Sequence, residues 1–293
     1  MSAATYVTAQ IMRMLPRATI SHAVGHLADW PWPAALGSVV VGLYTRVYDV
    51  ALDECEDRND WVSFDDFFTR ALRKGVRRID EDERSVVSPA DGRLVSAARI
   101  DPGGTFLVKG RPYSVGELVG SEIDARRFHG GAGFVVYLSP RDYHRVHAPV
   151  AGQIRRIRSI PGDYFPVNAV GMRHVPGLFC RNRRVAIDID ADAGLGRVTV
   201  VMVVAMIVGR ITTIGIDQRD VEAGDHDFVP PIRVERGQEI GMFHLGSTAV
   251  VLVGGAAVEP WLAGEGPIRL GQPLLRGRDQ SRLADAALRE ERP

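Results

Sequence analysis

The stretch EIGMFHLGSTAVVLV, residues 239–253, decides how the chain is read. Two apolar runs of strand length flank a small polar interruption, Gly246-Ser247-Thr248. A glycine in mid-strand weakens it, and a buried hydroxyl needs a hydrogen-bond partner. The interruption is therefore either a bulge with locally satisfied hydroxyls or a place where backbone and hydroxyl react.

Outward from that stretch the text is strand-like. From Val86 to about Pro273, short Val/Ile/Leu runs bounded by Gly and Pro recur: RLVSAARI, GFVVYLS, RVAIDIDA, RVTVVMVVAMIVGRI. Two segments echo each other, SPADGRLVSAARI at 88–100 and HAPVAGQIRRIRSI at 147–160, each reading Pro-x-x-Gly-x-aliphatic and then a strand. VERGQEIGMF at 234–243 adds similar Gly punctuation. The body is therefore expected to be a β-sandwich with duplicated halves.

Toward the N-terminus the period changes to that of helices. Val7, Ile11, Met12 and Leu15, then Ile20, Ala23, Val24 and Leu27, then Val39, Val40, Leu43 and Val47 predict two or three amphipathic helices between Ala4 and Ala51. WVSFDDFFTRALRKGVRRID, 61–80, predicts another, with Phe64, Phe67, Phe68 and Leu72 on one side. The expected fold class is mainly β with N-terminal helices, an α+β chain in three parts. These are a helical region over 1–60, a β-rich domain over 61–275 and a charged, frayed or loosely helical tail over 276–293.

Composition narrows the function. The 293 residues, 45% of them apolar, suffice for a real core. With 36 basic and 36 acidic residues no global field favours nucleic acid. Cys55 and Cys180 match no metal or redox spacing and suit a reducing compartment. The first residues lack a basic stretch followed by a continuous apolar run, so a cytoplasmic product is expected. The uncharged run from Trp30 to Thr45 is roughly 16 residues, short of the ~20 that span a bilayer. Trp30 and Trp32 beside an apolar face, with Arg13 and Arg17 near, would suit a segment lying in the lipid interface; helices packed on their own domain explain the same pattern.

Three stretches combine reactive groups with turn chemistry: SPADG around Asp91, SPRDYHRVHAP around His144 and His147, and HLGST around Ser247. Pro-Ala-Asp-Gly alone is an ordinary turn. Ser139, Pro140 and Asp142 predict a short helical turn, which would place His144 and His147 on one face; an extended chain would place them on opposite faces. Together the three supply a hydroxyl nucleophile, an imidazole base and an orienting carboxylate. There is no G-x-S-x-G elbow, so a hydrolase context is missing. A serine preceded by glycine in a strand has a nearer target, the unhindered carbonyl of Gly246.

These strings, with FDDFFTRALRKGVRRID, GDYFPVNAVGMRHVPGLFCRNRR and VMVVAMIVGRI in order, resemble those of phosphatidylserine decarboxylases over most of the chain. The resemblance implies a proenzyme that cuts itself between Gly246 and Ser247, with His147, oriented by Asp91, drawing the proton from Ser247. It implies that Ser247 becomes a covalent pyruvoyl group, with no metal. That group would form a Schiff base with phosphatidylserine, releasing carbon dioxide and phosphatidylethanolamine, with His144 as proton donor to the carbanion. Chains 1–246 and 247–293 would stay associated, with a homodimer possible. Tyr143, Arg141 and Arg145 are candidate headgroup contacts, solvated surface being the plain alternative for the arginines. Peripheral attachment to the cytoplasmic face of the membrane is implied by a substrate that stays in the bilayer. One departure is visible: Asn182-Arg183-Arg184 stands where the family usually has Asn-Glu-Arg.

Two rivals remain at this stage. A zinc hydrolase would use His144, His147 and Asp91, with His174, as ligands, and leaves Gly-Ser-Thr unexplained. A non-enzymatic carrier or lipid-interaction module on a lipoyl-like sandwich would present a lysine on a hairpin; Lys74 and Lys109 are the only lysines, and neither is expected to lie in such a turn.

Overall fold

The computed structural model describes residues 15–56, 60–207, 210–254 and 263–277. Val7, Ile11 and Met12 of the first expected helix, and the tail beyond residue 277, lie outside them. The chain is mainly β with a few helices. Helices α1 (Arg17–Asp29), α2 (Ala34–Tyr48) and α3 (Phe64–Phe68) precede the strands. Then come β1 (Ser85–Val87), β2 (Gly92–Arg99), β3 (Thr105–Val108), β4 (Arg111–Ser114), the short helices α4 (Val115–Val119) and α5 (Glu122–Ala125), β5 (Ala132–Tyr137), β6 (Arg145–His147) and β7 (Gly152–Ile160). After α6 (Ala169–His174) and α7 (Leu178–Arg181) follow β8 (Arg184–Ala191), β9 (Gly196–Val204), β10 (Arg210–Thr213), β11 (Gly224–Val234), β12 (Glu239–His244), β13 (Ser247–Val253), β14 (Gly266–Ile268) and β15 (Pro273–Arg276).

Eight strands form one antiparallel sheet in the order β11-β7-β8-β9-β13-β5-β2-β14. The run Ser247–Val253 is buried throughout because β13 lies near its centre, paired from Ser247↔Val204 on β9 and from Thr248↔Tyr137 on β5. A strand covered on both faces needs continuous apolar side chains, and the sequence supplies Ala249 to Val253. β10-β12-β6 form a second, three-stranded sheet, so the chain changes sheets at Leu245-Gly246, between β12 and β13. The two echoing segments open β2 and β7, each the second strand from an edge of the large sheet.

Three local expectations change. The helix over 61–80 ends at Phe68: Thr69 Oγ1 donates to the Asp65 carbonyl, and the following residues pair with the preceding loop through Glu56 N–H to Ala71 O and Arg73 N–H to Glu54 O. That pairing draws the chain out of the helix. Residues 139–142 form a turn rather than a helix, with the Asp142 carboxylate accepting from Ser139 N–H and Oγ–H, and the chain runs extended through His144 into β6. Lys109 does lie in a hairpin turn, joining β3 to β4 with Gly110, both at positive φ, where its ammonium pairs with Glu265.

α1 and α2 pack on the site side of the body and leave much apolar surface outside. Leu27, Trp30, Leu36, Val39, Leu43 and Val47 are all exposed. No helix among the described residues is long and apolar enough to cross a membrane.

Candidate active site

The Gly-Ser-Thr interruption is the start of a strand. Ser247 is wholly buried, its carbonyl accepts from Leu138 N–H at 2.9 Å, and its Oγ has no hydrogen-bond partner among the described residues; neither has Thr248 Oγ1. An unmade bond on a buried hydroxyl costs about 1–3 kcal/mol, so this is a poor place for purely structural hydroxyls. Immediately before it, Leu245 has φ +86°, a left-handed conformation that an L side chain adopts at a cost of about 1–3 kcal/mol. Its side chain is held by Ala28 of α1 and Phe68 of α3.

His144 faces this turn. A Cβ placed on Gly246 would stand 3.4 Å from His144 Nε2, so the glycine leaves the imidazole free access to the backbone. Nδ1 of His144 donates to the Asp142 carbonyl at 2.8 Å, which leaves Nε2 as a bare lone pair without a partner. Burial, reinforced by the Arg70 guanidinium, lowers the pKa of His144 to about 3. Arg70 donates to the carbonyls of Arg141 and Asp142. The ring also packs on Phe68, with centroids 4.1 Å apart.

His147 has a different setting. Its Nδ1 donates to Gly237 O at 2.8 Å, and its Nε2 accepts from the Tyr143 hydroxyl at 3.0 Å. Burial lowers its pKa too, opposed by the Gly237 bond. Burial pushes the Tyr143 phenol up, which keeps it a donor. Asp91 lies close through the main chain, where His147 N–H donates to Pro89 O, but its carboxylate accepts from Arg77 and from Leu270 N–H at 2.8 Å. No Asp91–His147 hydrogen bond occurs among the described residues. The next residue, Gly92, must be glycine: at φ +154° an added Cβ would stand 2.3 Å from Tyr137 O.

The remaining candidates separate. Arg145 is committed to Thr69 O and Glu239, whereas Arg141 is exposed at the rim of a polar cavity of about 400 Å³ lined also by Arg70, Asp91 and Tyr143. Arg183 pairs with Asp220 at 2.8 Å and donates to Val221 O, so the departure from the usual Glu is absorbed by a local ion pair. A second cavity, apolar and about 530 Å³, runs between α1, α2 and α3 and ends on Leu245 and Gly246. Among the described residues no group of three or more His, Cys, Asp or Glu is placed to hold a metal ion, and nothing supports the zinc reading.

Residue-level reading missed Arg77, the Gly237 carbonyl and a buried pair beside the turn. His244 Nδ1 donates to the Asp65 carboxylate at 2.8–2.9 Å, and Asp65 also accepts from Arg210 at 2.8 Å. Both residues stand in stretches already singled out, FDDFF and HLGST, yet nothing local to either stretch signals that they meet across 179 positions.

An antiparallel body carrying a buried, partnerless serine hydroxyl directly after a glycine, with an open imidazole nitrogen beside that glycine, defines the class: a chain equipped for acyl chemistry on its own backbone. Comparison with known proteins gives the family. The family model for phosphatidylserine decarboxylase matches residues 64–276. The chain is 38% identical over 271 residues to a phosphatidylserine decarboxylase proenzyme of Anaeromyxobacter sp. (strain K), covering 90% of this chain and 95% of that protein. A protein of the same name from Acinetobacter baumannii (strain ATCC 17978) is 40% identical over 245 residues, covering 82% and 84%. One from Myxococcus xanthus (strain DK1622) is 36% identical over 272 residues, covering 90% and 96%. The chain belongs to the phosphatidylserine decarboxylase family.

Proposed function

We propose that this chain is a precursor that severs its own Gly246–Ser247 bond and then decarboxylates phosphatidylserine to phosphatidylethanolamine. The observation that carries the reading is the Ser247 hydroxyl, buried and partnerless one residue beyond Gly246, next to a strained Leu245. His147 serves as base: with Nδ1–H held by Gly237, its Nε2 is the basic nitrogen once the Tyr143 hydroxyl that donates to it turns away, and burial keeps it neutral near pH 7. The Ser247 Oγ–H proton passes to that nitrogen as Oγ attacks the Gly246 carbonyl carbon. The C–N bond breaks, the Ser247 amine takes the proton, and an ester joins Gly246 to the serine oxygen. Loss of the Ser247 α-proton then expels the Gly246 carboxylate, and water replaces the resulting enamine nitrogen, which leaves as ammonia. Asp91, fixed by Arg77, contributes its negative field to the growing imidazolium.

The residues at 247 fit the pyruvoyl group that this sequence of bonds would leave. The position heads a strand, is closed to water and has no competing hydrogen bond on its side chain. Such a group, an α-keto carbonyl that captures the substrate amine, would accept the electron pair of the departing carboxylate. His144, whose open Nε2 faces the Gly246 position, would supply the proton that replaces the lost carboxylate. As a donor it must first be protonated; its burial opposes this, and a substrate carboxylate beside it favours it.

The apolar cavity ending at Gly246 and the exposed apolar face of α1 and α2 support a peripheral seat on a membrane surface, with acyl chains entering between the helices; the seat proposed is the cytoplasmic face. The strand order supports the duplicated architecture, since β1-β15 and β2-β14 pair as β6-β12 and β7-β11 do. Intact mass of freshly purified protein tests the reading: two chains are expected for the wild type and one for Ser247→Ala. Carbon dioxide release from phosphatidylserine liposomes by an unbroken chain would sink it.

A further inference from the structure

The Asp65–His244 pair is not part of the reacting constellation, yet it grips the residue next to Leu245. His244 ends β12, is buried, and donates Nδ1–H to both Asp65 oxygens, while its Nε2 meets Thr212 Oγ1 at 3.1 Å. Asp65 is buried at the start of α3 and shares Arg210 with Asp29 at the end of α1, the latter at 2.6 Å. A paired, hydrogen-bonded buried ion of this kind is costly to break, because removing one partner strands the other. The chain must cross from the three-stranded sheet to the eight-stranded one in the two residues after His244, and it does so with Leu245 at φ +86°. A left-handed leucine persists only where its surroundings over-determine it. Here β12 is anchored through His244 on one side, and β13 is anchored by two ladders on the other.

We propose that Asp65 and His244 are positioning residues for self-cleavage: they hold Leu245 left-handed and so set the Gly246 carbonyl toward the Ser247 hydroxyl. The idea rests on the Gly246–Ser247 cut proposed above. It extends that reading by tying the cut to the seating of α1 and α3, since Asp29, Arg210, Asp65 and His244 form one chain of contacts ending at the turn. Leu245, packed on Ala28 and Phe68, makes a second contact with the same helices.

The test is the rate at which newly made full-length protein splits, followed on denaturing gels, with melting measured in the uncut Ser247→Ala background. Asp65→Ala should slow splitting about tenfold or more without abolishing the folded state. Asp65→Asn, which keeps an acceptor for Nδ1–H, should recover part of the rate, and His244→Asn gives the same test from the other side. The decisive variant is Asp65→Ala with Leu245→Gly. Glycine adopts positive φ without strain, so it should restore splitting although it removes a buried side chain. Lost packing alone would be worsened by that second change. If Asp65→Ala splits at the wild-type rate, or if Leu245→Gly fails to rescue a folded Asp65→Ala protein, the positioning role is overturned. A wild type that never splits would instead overturn the cleavage reading itself.

Discussion

His144 and His147 stand three residues apart in one extended segment, and they could hardly be treated more differently. His144 is sealed in, its ring tilted against Phe68, with one nitrogen spent on a carbonyl and the other on nothing. His147 has both nitrogens engaged, one by Gly237 and one by Tyr143. An extended strand sends such residues to opposite faces, so a single short motif gives its two imidazoles different surroundings. One imidazole leaves its Nε2 open beside Gly246; the other is held among Gly237, the Tyr143 hydroxyl and the Pro89 carbonyl that its own N–H meets. What separates the two rings is the partner each nitrogen keeps: His147 Nε2 holds an exchangeable hydroxyl, His144 Nε2 holds nothing among the described residues.

The sharpest way to break this contrast is to delete each ring. His147→Ala is expected to slow self-cleavage by about 10²–10⁴-fold, the usual worth of a positioned general base. His144→Ala should still split on denaturing gels and then fail to release carbon dioxide. If the two phenotypes are exchanged, the assignment of roles falls.

Acid should separate folded-state stability from chemistry. Both histidines have pKa values lowered by burial, so the unfolded chain binds more protons than the folded one below about pH 6.5. Stability of the uncut Ser247→Ala protein should be full above that pH and fall as acid is added. For His144 the loss continues down to about pH 3, with up to about 1.4 kcal/mol lost per pH unit for each buried ring. His144→Gln should flatten that dependence in urea titrations; an unchanged slope would contradict the sealed setting. Tyr143→Phe is a finer probe. It removes the O–H donated to His147 Nε2, a bond worth about 1 kcal/mol, so cleavage should hold its rate or rise a few-fold. A large loss would place the phenol in the proton path. The smallest expected change lies at the periphery: Leu43→Ser with Val47→Ser should lower sedimentation with phosphatidylserine liposomes roughly tenfold while leaving cleavage of the detergent-free protein intact.

How much of this was legible beforehand depended on range. The β-rich body could be read because continuous Val/Ile/Leu runs between Gly and Pro signal buried strands locally, and RVTVVMVV and STAVVLV are neighbours in the sheet. The reactive trio could be read because serine after glycine in such a run has no comfortable structural explanation. The helix expected over 61–80 stops early: its apolar spacing is real, but Phe64, Phe67 and Phe68 are followed by residues whose backbone pairs with 54–56, a contact no periodicity reveals. The hairpin turn at Lys109-Gly110 carries only a weak local signal, a single Gly after the lysine, and shows itself once both residues take positive φ. Arg77 on Asp91 and Asp65 on His244 were hidden for the same reason as each other: charge partners far apart in sequence leave no local pattern.

The place of β13 has one more consequence. Residues 247–253 hydrogen-bond along their whole length to β9 and β5, which come from the opposite side of the proposed cut. The nucleophile therefore reaches its target only after the middle of the large sheet has assembled, so scission would report that folding is complete. The severed piece would then be woven in rather than appended. It should survive dilution and high salt, leave only under strong denaturant, and resist replacement by the same fragment supplied separately.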